Sequence, residues 1–312
     1  MGNEINWVVK SNKFIEARYD MSVVQSRIII LLISKLDRFA EDFGTQILHA
    51  SEFKELSGQE GWSVYAQLEE AAQQLVEQRI HIAHEKGWTK ANLLSFVTYH
   101  KNKGCIEARF NPDMRPLLLK LQGYYTKYQA KQVMQLSSPY SIRLYEQLKM
   151  RYEQAKAYGK SPVFEIEVSY LREILNLEDK YDRFSDFRRR VIDFPTKEIN
   201  EHTDLSVSYA TKKRGREVHA IVFQVSEKRE TLPAKKPQSK PGAQADMFSA
   251  SKDPYELWLD GLTEEERARL EEEACARIVD LADTPGVRMY QIEQAQRMIY
   301  QERIAAASSQ AA

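Results

Sequence analysis

One order of elements, helix, short helix, longer helix and basic hairpin, occurs twice in the first 226 residues. That repetition predicts an α+β protein of two tandem winged helix-turn-helix domains. Further on, a stretch rich in Pro, Ser, Lys and Gln predicts a flexible linker, and an acidic stretch of helical periodicity predicts a short helical tail. The expected boundaries are 1–130 and 131–226 for the winged domains, 227–252 for the linker and 253–312 for the tail.

In the first domain Ser22 opens a helix over "SVVQSRIIILLISKL", and "ASEFKELSG" supplies the short second helix. The third, "SVYAQLEEAAQQLVEQ", sets Val64, Leu68, Ala71 and Leu75 at helical spacing. Three strand-like runs follow, "RIHIAH", "ANLLSFVTYH" and "CIEARF", joined by the turn-like segments "EKGW" and "KNKG". "GYYTKYQAK" lies in the interdomain stretch, where its tyrosines are expected to pack the junction and help set domain orientation.

In the second domain Ser138 and Pro139 start the helix "PYSIRLYEQLKMRYEQAKAY". A short strand "VFEIEV" and a short helix "SYLREILNL" come next. The third helix is carried by "YDRFSDFRRRVIDFPTKEIN". Two alternating runs, Leu205, Val207, Tyr209 and Ile221, Phe223, Val225, then flank "TKKRGR", a turn built on Gly215.

That third helix carries three consecutive arginines. On a wheel of 100° per residue, Phe187, Val191, Ile192 and Phe194 cluster around Phe184 as a buried stripe. Ser185, Asp186, Arg189, Arg190 and Lys197 fall on the opposite arc, and Arg188 lands nearer the apolar side. Such a face is either a solvated charged surface or a reader of nucleic acid. Its place third in a helix-turn-helix order favours the reader, because that helix enters the major groove. The hairpin behind it offers Lys212, Lys213, Arg214 and Arg216 to phosphate. Pro195 is expected to kink or end the helix, leaving "TKEIN" as a separate last turn.

Bulk properties exclude more than they assign. Lys plus Arg and Asp plus Glu number 45 each, so electrostatic function must come from local segregation. From Ser251 onward 7 basic residues face 13 acidic ones, which leaves the remainder slightly basic. Only Cys105 and Cys275 occur, without metal-ligand spacing, as expected of plain buried cysteines in a reducing cytoplasm. No run suggests an export signal or a membrane span, and no GxxxxGK[ST] suggests a nucleotide site. His81 and His84 in "HIAH" are the best metal candidates, yet three positions apart on a strand they point to opposite faces. No catalytic residue, metal or cofactor is expected.

The blocks "VVKSNKFIEARYDMSVVQSRIIILLISKLD", "SSPYSIRLYEQLKMR" and "KYDRFSDFRRRVIDFPTKEINEHTDLSVSY" followed by "KKRGREV" resemble the iteron-binding plasmid replication initiator (Rep) family. The likeness runs from about Trp7 to Val225. It implies two winged-helix domains that bind directly repeated origin sites. By the same resemblance, monomers help open the duplex and recruit the host initiator and replicative helicase, and dimers repress their own gene. It makes the second domain the main sequence reader, through Arg183, Ser185, Asp186, Arg189 and Arg190. The Glu- and Gln-rich "AQLEEAAQQ" leaves dimerisation or weaker readout to the first domain. One departure concerns the proline, which family members often carry one place earlier, before an alanine. In the linker, "QADMF" resembles the short peptide by which bacterial proteins dock on the polymerase sliding clamp, through Gln244, Met247 and Phe248; plain linker is the alternative. A repressor without an initiation role and a rolling-circle nicking enzyme are the other functions weighed.

Overall fold

Capping chemistry and apolar spacing set the elements. The computed structural model describes residues 6–59, 63–84 and 86–228, and in the C-terminal part 258–259, 261–277 and short groups between 292 and 303. Residues 5–229 pack as one unit. β1 (Trp7–Ser11) and the short α1 (Asn12–Glu16) precede α2 (Val23–Ser34). At the start of α2 the Ser22 hydroxyl accepts from the Gln25 N–H, and the Gln25 side chain accepts from the Ser22 N–H, a reciprocal cap. β2 (Gln46–His49) leads into α3 (Ala50–Ser57), which stops at Gly58 with φ +66°, the left-handed position that favours glycine. α4 (Ser63–Leu75) buries the whole predicted stripe of Val64, Leu68, Ala71 and Leu75.

The strand region departs from the expected three runs. β3 (Arg79–His84) pairs with β4 (Gly87–Asn92), so Gly87 and Trp88 belong to a strand rather than to a turn. "ANLLSFVTYH" breaks at the fully buried Leu93, and β5 (Leu94–His100) then pairs with β6 (Cys105–Phe110). Periodicity alone could not locate this break, because Ala91, Leu93 and Leu94 read as one apolar run. β6 lies between β2 and β5 in a three-stranded sheet. After the short α5 (Arg115–Leu118), β7 (Tyr125–Gln129) pairs antiparallel with β1, Trp7 opposite Gln129. This ladder joins segments more than a hundred residues apart, so no local pattern announces it.

The second half repeats the plan. α6 (Lys131–Met134) is followed by α7 (Pro139–Ala157), capped by Ser138, and then by β8 (Val163–Glu167) and α8 (Val168–Ile174). α9 (Phe184–Phe187), a π turn over Arg188–Asp193, and α10 (Phe194–His202) form one continuous helical path. β9 (Leu205–Arg214) and β10 (Glu217–Glu227) make the wing, and β10 lies between β8 and β9, as β6 lies between β2 and β5 in the first half. Leu205, Val207, Ile221, Phe223 and Val225 are buried, as their alternation predicts.

α7 is packed on both sides, against α1, α2 and β7 and against α10 and β10. It therefore buries polar side chains as well as apolar ones, and Ser141, Arg143, Glu146, Gln147 and Lys149 each make at least one hydrogen bond. Gln147 donates to the Ile15 carbonyl at 2.8 Å and Arg143 to the Ala17 carbonyl at 2.6 Å, which satisfies backbone left open at the end of α1. The Lys10 ammonium lies 2.5 Å from the Glu146 carboxylate, both side chains at 2% exposure or less. Tyr128 also donates to Glu146 and meets Tyr145 edge to face. Of the interdomain tyrosines, then, Tyr128 is buried at a strand–helix contact, while Tyr124 is exposed.

In the C-terminal unit, Thr263 and Glu266 form a capping box ahead of the helix Glu264–Arg277. Leu270 and Ala274 pack with Ala295 and Ile299 in a small core. Cys105 is buried as expected, but Cys275 is only half-buried. Glu227 of the expected linker ends β10 and Lys228 bonds to the Asn200 carbonyl, while the rest of the linker, with "QADMF" and its Gln244, Met247 and Phe248, lies outside the described residues. Among the described residues no helix is long and apolar enough to cross a membrane.

Candidate nucleic-acid interface

The third helical path of the second half differs from its prediction at the proline. Pro195 neither ends nor detaches the helix. Instead the turn ahead of it widens, and the Phe194 N–H donates to the Arg189 carbonyl, five residues back. A π turn takes more residues per revolution than an α turn, so residues beyond it lag behind a 100° wheel. Phe194 consequently leaves the apolar stripe and is 45% exposed, whereas Phe187, Val191 and Ile192 are fully buried. Arg188, placed near the apolar side by the wheel, is also exposed.

All three arginines thus stand outside, each against a different neighbour. The Arg188 Nε is 3.3 Å from Asp193, and the Arg189 guanidinium is 3.1 Å from Asp186. Arg190 lies over the Tyr181 ring, 5.6 Å from its centroid. Surface pairs of this kind are worth about 0–1 kcal/mol, so they orient the guanidinium groups without preventing exchange for a phosphate or a base edge. Arg183 precedes the first turn as its N-cap, exposed beside Ser185. Lys197 sits on α10, 3.8 Å from Glu201.

Two groups that the sequence pattern does not single out hold this helix in place. Arg172 on α8 donates to the carbonyls of Leu177, Lys180 and Tyr181 and lies 4.7 Å from the centroid of the Phe187 ring. It thereby staples the loop leading into the helix. Glu198 on α10 is buried and accepts from the Ser137 N–H at 2.9 Å and from the hydroxyls of Ser137 and Ser141. A glutamate within a helix that reads as polar gives no local sign of such burial, since the partners lie about sixty residues away.

The wing completes the surface. Gly215, at φ +66°, is the first of two residues linking Arg214 to Glu217, a position that demands positive φ. Lys212, Lys213, Arg214 and Arg216 are all exposed on it. Lys212 pairs with Glu165 at 2.7 Å, while Lys213, Arg214 and Arg216 make no ion pair among the described residues. Tyr209 on β9 donates its hydroxyl to Asp193, tying wing to helix. Burial, then that hydrogen bond and the Asp193 charge, push the Tyr209 phenol up to about 12.

The first half offers a different surface. The exposed positions of α4 include Ser63, Ala66, Glu70, Gln73 and Gln74, with no cation. Its β5–β6 turn exposes Lys101 and Lys103. His81 packs edge-on against Trp88, with centroids 5.4 Å apart, and His84 lies further along β3. Among the described residues no three His, Cys, Asp or Glu side chains are grouped to hold a metal.

Two winged-helix units, the second with a cationic third helix and a cationic wing, define a tandem winged-helix protein with the surface chemistry of a nucleic-acid binder. The chain belongs to the initiator replication protein family, matching its first winged-helix region (Initiator Replication protein, WH1) over residues 7–149 and its second (Initiator Rep protein, WH2) over 167–225. A replication initiation protein of Escherichia coli is 23% identical over 224 residues, which cover 70% of this chain and 69% of that protein. The PI protein of Escherichia coli is 28% identical over 147 residues, 43% of this chain and 47% of its relative. Among solved structures, the Pi initiator protein in complex with iteron DNA superposes with a TM-score of 0.63 at 20% identity, covering 73% of this chain and all of the other. That likeness establishes the shared fold.

Proposed function

We propose that the protein is a sequence-specific duplex-DNA-binding initiator of plasmid replication that recognises directly repeated origin sites. The observation that carries this reading is the pairing of an exposed arginine helix with an exposed cationic wing, in a chain whose family and fold are those of initiators. Arg183, Ser185, Asp186, Arg189 and Arg190 face the major groove, and Lys197, Lys212, Lys213, Arg214 and Arg216 meet phosphate. The second domain, 131–226, is the main reader. The first, 1–130, supplies dimerisation and secondary contact, consistent with an α4 that exposes no cation.

The mechanism follows from binding alone. Groove contacts fix the register and wing contacts add salt-dependent affinity. Bending of the bound DNA assists melting of an adjacent AT-rich segment. The initiator then recruits the host initiator, the replicative helicase and, through Gln244, Met247 and Phe248, the sliding clamp. It acts in the cytoplasm, moves between monomer and dimer, represses its own gene, and uses no catalytic residue, metal or cofactor.

Selection of bound duplexes from a random pool at physiological salt, with footprinting upstream of the gene, tests this. A motif of about two helical turns that recurs upstream as direct repeats supports the reading. Binding that is salt-sensitive but indifferent to sequence refutes it.

A further inference from the structure

We infer that Pro195 and the Asp193–Tyr209 hydrogen bond are positioning elements for sequence recognition: they hold the π turn that sets the angle at which the arginine face meets DNA. This rests on the reading of that helix as the DNA reader.

A proline inside an α-helix removes one backbone hydrogen bond and drives its ring toward the carbonyl four residues earlier, at a cost of about 3 kcal/mol. The helix around Pro195 escapes this by widening over Arg188–Asp193, where the Phe194 N–H reaches back to the Arg189 carbonyl. The change of register alters the angle between the buried residues and the charged ones that flank them. Phe187, Val191 and Ile192 stay fully buried, while Arg188, Arg189 and Arg190 all remain outside. Arg188 still bonds back to Phe184 as in an α-helix, and on a plain α wheel Arg189 and Arg190 also face out, but Phe194 would fall in the apolar stripe; the π turn rotates the residues after it relative to Phe187 and Arg188. The π turn therefore sets the angle of the arginine face relative to the buried face and brings Phe194 out of the apolar stripe.

A second observation locates the control of this turn. Asp193, its last residue, accepts from the Tyr209 hydroxyl and from the Arg188 Nε at 3.3 Å. Tyr209 belongs to β9 and packs on Phe223 of β10, with ring centroids 6.1 Å apart. One carboxylate thus joins the wing strand, the end of the π turn and the first of the three arginines. The wing contacts phosphate and the helix reads bases, so this link fixes the phase of one relative to the other.

Tyr209→Phe and Pro195→Ala, alone and combined, test the inference, since neither side chain is among the groups assigned to DNA. Tyr209→Phe keeps the ring and removes only the hydroxyl, so it reports even where Pro195→Ala affects folding. Each full-length variant is put through random-pool selection, then titrated against the wild-type motif and against random duplex at several salt concentrations. The expected result is an altered base preference and about tenfold weaker binding to the wild-type motif. Affinity and salt slope on random duplex should not change.

An unaltered motif and affinity in the combined variant would overturn the positioning role while leaving the reader helix standing. Equal losses on motif and random DNA would also overturn it, because positioning alters preference and not general affinity. Should the wild type itself select no motif, the reader assignment fails first and the inference with it.

Discussion

Removing the Glu146 carboxylate should destabilise the protein strongly and asymmetrically. The carboxylate sits at the centre of α7, accepting from Lys10 at 2.5 Å and from the Tyr128 hydroxyl, with Arg143 at 3.8 Å. Burial alone would raise its pKa, but the charges of Lys10 and Arg143 and hydrogen bonds from Lys10 and Tyr128 hold it below the ordinary carboxylate value. Glu146→Leu leaves two buried cations facing an apolar side chain, and breaking a buried pair in this way costs about 3–5 kcal/mol. Lys10→Met should cost less, because the remaining carboxylate keeps Arg143 and Tyr128. The double variant should recover part of the loss, since an apolar pair of similar volume avoids the desolvation of both ions. Urea unfolding of the four proteins, read as a double-mutant cycle, measures this. A Glu146→Leu cost below about 1 kcal/mol, or additive single costs, would refute the reasoning and make the site a hydrated one.

The other expectations follow from single features. The folded-state pKa of Glu146 is depressed, so its contribution is present above the ordinary carboxylate range and lost as pH falls through the folded value; stability measured from pH 7 downward should decline there and stay flatter in Glu146→Leu. Arg189→Ala or Arg190→Ala should cost about 1–3 kcal/mol on the selected motif and little on random duplex, as fluorescence anisotropy would show. Lys213→Ala should weaken binding to all sequences alike and reduce the salt slope by about one unit; a changed base preference would make the wing a reader of bases. Gly104→Ala places a Cβ 2.7 Å from the Tyr65 ring at a backbone φ of +55°, and a thermal melt lower than wild type by several degrees is expected.

Local physics made much of this fold legible. Ser22, and Ser138 with Pro139, mark helix starts because capping is satisfied within three residues. The apolar spacing of α4 and the alternation of β9 and β10 identify buried faces for the same reason. The cationic helix and wing are equally visible, since exposed charge needs no distant partner. The β1–β7 ladder, the break at Leu93 and the burial of Glu146 and Glu198 were not visible. Each depends on residues brought together from far apart in the chain.

The third helix of the second half shows the division most clearly. The sequence alone determined that it is amphipathic, that it carries Arg188, Arg189 and Arg190, and that Pro195 interrupts its hydrogen bonding. From the missing N–H the expected answers were a kink or an end to the helix; widening the turn meets the same deficit and has no local signature. Tertiary packing decided it: Val191 and Ile192 are committed to the core, Asp193 is tied to Tyr209, and the helix continues through a π turn with all three arginines exposed.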